Sequence, residues 1–298
     1  MATNDRLTKA QRRDEARRKA AELRARQERE QRRNKIIGIA LLVLAVAVIV
    51  GAIAFLVKQR IDGDRSPVNL PEKVGTDIQV PSTGDAARGG IPVSKQGVGV
   101  LVADGVVVDV YLDFMCPHCA SFEQTQGAEI DALLDPKTGR DDVTIVYHVV
   151  SILDGASLGN NYSTRAANAV SVVADKDPDH FVAFMNALFA SQPKENTPGH
   201  GDKRLAEIAQ SVGVPATVTN QFTATASYNG KTLRTFVPWT SAVTNTLPMV
   251  NGRGSTPTIL VNGEDWMEWP AEPLSARVQA ALGETPQDAP EETPETDQ

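Results

Sequence analysis

Cysteine is almost missing from this 298-residue chain, which has two, Cys116 and Cys119. A disulfide scaffold and a four-cysteine zinc site are both excluded, because each needs more sulfur than that. Histidine is scarce as well, four residues in all, with no second Cys/His pair at ligand spacing. Cationic excess is missing from everything after the start. Residues 1–35 carry 13 Lys/Arg against 6 Asp/Glu, whereas the rest carries 17 against 31, giving a net charge of −7 overall. A basic head on an acidic body excludes nucleic acid as the partner of the body, which would need the opposite sign. No flavin, quinone or haem motif is present, so no cofactor is expected.

Polar side chains are absent from Ile36 to Val57, a run of 22 apolar or glycine residues. As a helix it would span roughly 33 Å, close to the hydrocarbon thickness of a bilayer. The small-x-small triplets Ala45-Val46-Ala47 and Ala52-Ile53-Ala54 lie inside the run rather than after it, which favours an uncleaved anchor over a signal peptide. The cations at 1–35 place that head in the cytoplasm as a solvated helix on anionic lipid, with residues 58–298 outside. Residues 58–90, punctuated by Gly and Pro, read as a linker, and 284–298, acidic and proline-bearing, as a disordered tail. Residues 91–283 remain for one folded domain.

That domain alternates. Val98–Ala103, a turn at Asp104-Gly105 and Val106–Met115 predict a β-hairpin, and Val143–Val150 a further strand. A helix is predicted directly after Cys119. Residues 163–247 read mainly as helices: Asp179 is the expected N-cap of one, with Phe181, Phe184, Met185, Leu188 and Phe189 as its core stripe. Asp202 is the expected cap of the next, which buries Leu205, Ile208 and Val212 and stops at Gly213. Pro257–Val261, a turn at Asn262-Gly263, an edge strand near Asp265–Glu268 and a helix over Leu274–Leu282 close the domain. The order β-β-α-β, helical block, β-β-α implies an α/β fold with a mixed sheet and helices on its faces.

The chemistry lies in Cys116-Pro117-His118-Cys119, set between a strand and a helix. Pro117 suits the first helical position, where its missing N–H costs nothing. Cys116 then caps the helix start, where free N–H groups and the positive end of the dipole favour a thiolate, and a protonated His118 adds charge of the same sign. Cys119, one turn inward, is the expected resolving thiol, with Cys116 the exposed nucleophile. A stabilised thiolate makes the disulfide easy to reduce, so the pair should be oxidising. A structural disulfide would gain little from so short a loop. A cysteine hydrolase leaves the second cysteine unexplained. A Cu(I)-binding envelope metallochaperone using Met115, Cys116, His118 and Cys119 is the alternative from another class.

The runs VVVDVYLDFMCPHCASFE and, downstream, STPTILVNGE resemble the DsbA-like branch of the thioredoxin superfamily, in the membrane-anchored form of Gram-positive, particularly actinobacterial, envelopes. The resemblance covers about residues 91–283. It implies a thioredoxin-like mixed sheet with a helical domain inserted at about 163–247, preceded by the single transmembrane helix. It also implies a cis Thr256–Pro257 peptide packed against the dithiol, with the Thr256 main chain pairing with an extended substrate and its hydroxyl near Cys116. The implied substrates are unfolded secreted proteins with reduced cysteines, and a separate membrane oxidase would restore the disulfide. Isomerase or reductase activity is the alternative within the family. One departure stands out: where many relatives place a buried carboxylate six residues before the first cysteine, this chain has Val110, with Asp109 and Asp113 on the opposite strand face.

Overall fold

In the computed structural model the residues described are Lys73, Gly75, 77–250 and 253–284. The basic head, the apolar run at 36–57 and the end of the acidic tail lie outside them. Among the described residues no helix is long and apolar enough to cross a membrane.

The centre of the molecule is β3 (Val106–Leu112), paired in parallel with β4 (Val143–Val149) from Val106↔Val143 to Leu112↔Val149. All of β4 and nearly all of β3 is buried, and both are rich in β-branched residues, as suits strands covered on both faces. Each such side chain contributes about 1.5–3 kcal/mol on leaving water. A parallel pair needs a crossover, and α1 (Pro117–Leu134) supplies it. β4 continues the sheet through β1 (Ile91–Ser94) to β2 (Gly97–Val98), both antiparallel additions. On the other side of β3 run β9 (Thr258–Val261) and the edge strand β10 (Glu264–Asp265), again antiparallel. The six-stranded order is β10-β9-β3-β4-β1-β2.

The hairpin predicted for 98–103 and 106–115 does not form. β3 has both edges taken by β4 and β9, leaving it no edge for residues 98–103 to pair with. Val98 ends β2, paired with Val93, and residues 99–103 run as a loop in which Val100 and Leu101 are exposed, so the hairpin is instead β1–β2. The end of the 58–90 stretch packs on the body: Ser82 N–H and Oγ bond the Asp175 carboxylate and carbonyl, and Thr83 Oγ1 bonds Ala174 O. Gly90 passes so close to β4 that a Cβ there would sit 2.5 Å from Val146 and 2.8 Å from the His148 ring.

Between β4 and β9 comes the helical block. It comprises α2 (Tyr162–Lys176), α3 (Phe181–Ala190), α4 (Asp202–Ser211), α5 (Ala216–Thr219) and α6 (Val237–Asn245). The α3 stripe is buried as its spacing required, along with Leu205 and Ile208 of α4. Neither aspartate caps its helix. Asp179 lies in a short 3-10 turn ahead of α3, and His180 is the cap. Asp202 is the first residue of α4 after Gly201, and its carboxylate is taken by Arg165 and Arg234. The block also contains strands read as helix: β5 (Thr225–Tyr228) and β6 (Lys231–Arg234) join at Asn229-Gly230, both with positive φ. A short pair, β7 (Met249–Val250) with β8 (Arg253–Gly254), precedes β9, and α7 (Leu274–Ala281) packs back on α1.

Candidate active site

β3 delivers the dithiol at its C-terminal end, and β9 delivers Thr256 and Pro257 to the same place. Because β9 runs antiparallel to β3, its first residue Thr258 pairs with Tyr111. The four residues named from sequence as catalytic and the two named as substrate-binding are therefore brought together. Cys116 is the N-cap of α1, with Pro117 in the first turn. Its Sγ donates to the carbonyl oxygen of Thr256 at 3.2 Å, and the Thr256–Pro257 peptide is cis.

Both cysteines are reduced and covered, Cys116 keeping 5% of its surface and Cys119 1%. The expected exposed nucleophile is thus merely the less buried of the two, while Pro117 and His118 are the exposed members of the motif. The sulfurs divide sharply in acidity. Cys116 is lowered from 9.0 to about 6, first by the hydrogen bond from the Cys119 thiol, against the opposing effect of burial. The Thr256 side chain and the backbone N–H groups of Cys119 and His118 lower it further. The helix-start amides foreseen from sequence do take part, but a side chain leads them, and His118 acts through its main-chain N–H. Cys119 goes the other way: burial, then the partnership with Cys116, pushes it well up.

Asp113 precedes the dithiol and is wholly buried. Its Oδ1 accepts from Met115 N–H at 2.8 Å and Ser163 Oγ at 2.7 Å, and Oδ2 accepts from Leu153 N–H at 2.9 Å. Burial outweighs these donors and raises its pKa to about 6. Its own N–H points to Cys119 Sγ at 3.5 Å. Val110 is buried in the core, and Asp109 is engaged elsewhere, 2.9 Å from His148 Nε2. Met115 is also fully buried, and no group of three or more His, Cys, Asp or Glu side chains converges as metal ligands among the described residues.

Sequence reasoning missed several neighbours. Gln192, just past α3, donates from Nε2 to Phe114 O at 3.1 Å and Cys116 O at 2.9 Å. Gln126 on α1 donates to Trp269 O and Glu272 O and accepts from Leu274 N–H. One turn after Cys119, Glu123 borders a 250 Å³ groove with Ala120, Gly127, Asp131, Asn186 and Phe189. Burial, with Asp131 nearby, raises Glu123 to about 7. A smaller recess of 90 Å³ beside Pro257 is lined by Trp266, Met267 and Trp269. Only the cysteine spacing announced itself. A glutamine 76 residues from the dithiol carries no local signal.

Residues 99–280 match the family model described as Thioredoxin. Among solved structures, DsbA from Mycobacterium tuberculosis is 30% identical in its oxidised form and 29% in its reduced form, with TM-scores of 0.51 and 0.50. Each alignment covers 66% of this chain and 94% of that one. BdbD from Bacillus subtilis, 21% identical over 69% of this chain and 99% of that one at a TM-score of 0.51, shares the fold. Over 126 residues the chain is 36% identical to the serine/threonine-protein kinase PknE of Mycobacterium tuberculosis, 40% of this chain and 22% of that protein. The chain thus spans about a fifth of the length of the curated relatives it matches.

Proposed function

The chain belongs to the thioredoxin family, and we propose that this DsbA-like thiol-disulfide oxidoreductase works as an oxidant, passing a Cys116–Cys119 disulfide to cysteine pairs of secreted proteins. The observation that carries the reading is the split in acidity, Cys116 held near 6 and Cys119 pushed up. A thiolate stabilised in the reduced state makes the disulfide the high-energy partner, and a low-pKa sulfur leaves readily.

In the reaction a substrate thiolate attacks Cys116 Sγ of the disulfide, and Cys119 leaves as a thiolate that takes up a proton. A second substrate thiolate then attacks the substrate sulfur of the mixed disulfide, forming the substrate disulfide and expelling the Cys116 thiolate. Two electrons have moved from substrate to enzyme. Thr256 offers main-chain groups to an extended substrate beside the reacting sulfur, with Pro257 closing that side, a mode that reads backbone and so tolerates many sequences. Pro117 and His118 form the exposed rim. Residues 36–57 anchor the domain, the basic head stays cytoplasmic, and a separate membrane oxidase reoxidises the dithiol.

The test is the dithiol potential in glutathione buffers, alongside refolding of reduced RNase by the oxidised protein. A potential well above that of thioredoxin, about −270 mV, with RNase recovery, supports the reading. A potential close to thioredoxin's assigns a reductase instead.

A further inference from the structure

We propose that Gln192, which the inserted helical block projects onto the dithiol turn, is a positioning residue that sets how firmly Cys116 holds its negative charge. This rests on the oxidoreductase reading above and names a further determinant of the same site.

The placement is specific. Phe189 at the end of α3 packs on Phe114 with ring centroids 4.9 Å apart, which brings the end of the helix against the turn. The chain leaves α3 with Gln192 N–H bonded to Phe189 O, and His200 Nε2 lies 2.6 Å from Ser191 O beside it. From there both hydrogens of the Gln192 amide are committed, one to Phe114 O and one to Cys116 O. Two carbonyls on either side of Met115 are thereby tied to one donor group in another part of the fold.

The chemistry follows from which donors remain. Cys116 O also accepts from the N–H groups of Cys119 at 3.1 Å and Ala120 at 3.3 Å. The Cys119 N–H is bonded to that carbonyl, and the Cys116 sulfur makes no cap hydrogen bond of its own, yet this N–H also favours ionisation of the sulfur. A carbonyl already supplied by Gln192 draws less on the Cys119 N–H, which is then freer to turn toward the sulfur once that carries a charge. The amide also sets its positive end against two carbonyl dipoles near the sulfur, and in a partly buried site such fixed dipoles are weakly screened. Both effects have one sign: Gln192 favours the thiolate and hence the oxidising potential.

The experiment compares the full chain with Gln192→Ala, Gln192→Glu and Gln192→Arg. Ultraviolet thiolate absorbance gives the Cys116 pKa, glutathione equilibration the potential, and thermal melting of the oxidised form controls for folding. Gln192→Ala should weaken Cys116 ionisation roughly three- to tenfold and lower the potential by ~15–30 mV, since tenfold corresponds to about 30 mV for this couple. Gln192→Glu should shift both further, because it sets a charge and acceptors against the carbonyls. Gln192→Arg, which keeps donors, should return both toward wild type. A lower melting temperature without either shift, or an Arg variant displaced as far as Ala, overturns the proposal. A wild-type potential near thioredoxin's would defeat the oxidant reading while leaving the difference between wild type and variants fully readable.

Discussion

The sheet around β3 and the helical block around α2 satisfy their polar groups by different means. In β3 and β4 the main chain pairs with neighbouring strands along its length, and the side chains are nearly all apolar and buried. The helical block is held by side chains that reach distant main chain. Asn168, wholly buried, donates to Phe222 O and accepts from Phe236 N–H, and Arg165 bonds Asn160 O, His200 O and Asp202. A ladder meets its own backbone needs, whereas helix ends and loops leave donors and acceptors over, which buried amides and guanidinium groups must meet. The dithiol stands where the two regimes touch, with Asp113 and Gln192 each bonding across the junction.

The division can be attacked at the junction first. Cys116→Ala should abolish oxidation of reduced RNase outright, and in Cys119→Ala the lone Cys116 thiolate, attacking a disulfide of scrambled RNase and expelling its other sulfur as a thiolate, should accumulate a mixed disulfide visible on a non-reducing gel. Asp113→Ala strands the N–H groups of Met115 and Leu153 and the Ser163 hydroxyl, and should cost about 3 kcal/mol in urea unfolding. It should also move the Cys116 pKa, because Met115 N–H shapes the turn.

Acidity sharpens the contrast next. The folded pKa of Cys116, about 6, lies below its ordinary value, so it stabilises the reduced fold increasingly from pH 6 to 9 and this is lost as pH falls through 6. The disulfide form has no such thiol. The stability of reduced over oxidised protein should therefore rise by about 2–3 kcal/mol across that window, somewhat less than the full shift because the site is partly screened. Asp113 and Glu123, raised to about 6 and about 7, act oppositely. Their stabilisation is present at low pH and is lost as pH climbs from about 4 to those values, in both redox forms. Glu123→Gln should flatten the upper part of that slope in thermal melts.

Deep in the helical block, Asn168→Ala should cost about 2 kcal/mol while leaving the Cys116 pKa and the potential unchanged. If it shifts the potential, the two regimes are not separable. At the surface, Lys203→Ala removes an exposed pair with Glu207 and should change stability by less than about 0.5 kcal/mol.

What could be read beforehand follows the same division. β3, β4, β9 and α1 were legible because apolar periodicity, turn residues and a proline at a helix start act locally. The run at 98–103 misled because an apolar segment before Asp-Gly looks like half a hairpin, and which strands win the edges of β3 is a tertiary matter. In β5–β6 the reverse happened: Asn229-Gly230 was a sound hairpin signal, overlooked amid helical patterns. Asp202 had the form of a cap, but two arginines from elsewhere claim it. At the site, the cysteine pair and its helix-start setting were readable, and Thr256 and Pro257 came through family resemblance. The leading effect of the Cys119 thiol on Cys116 depends on side-chain geometry that spacing does not give, and the coverage of Cys116 and the reach of Gln192 depend on packing between segments far apart in the chain.

The segment from Asp77 to Gly90 has a practical consequence for anyone preparing the catalytic part alone. It fastens to α2 through Ser82 and Thr83, and its Gly89 carbonyl lies 3.2 Å from Nδ1 of the buried His148. A soluble fragment begun at Ile91, where the first regular strand starts, would strip that strap away and bare the ring beneath it. Trimming should stop before Asp77.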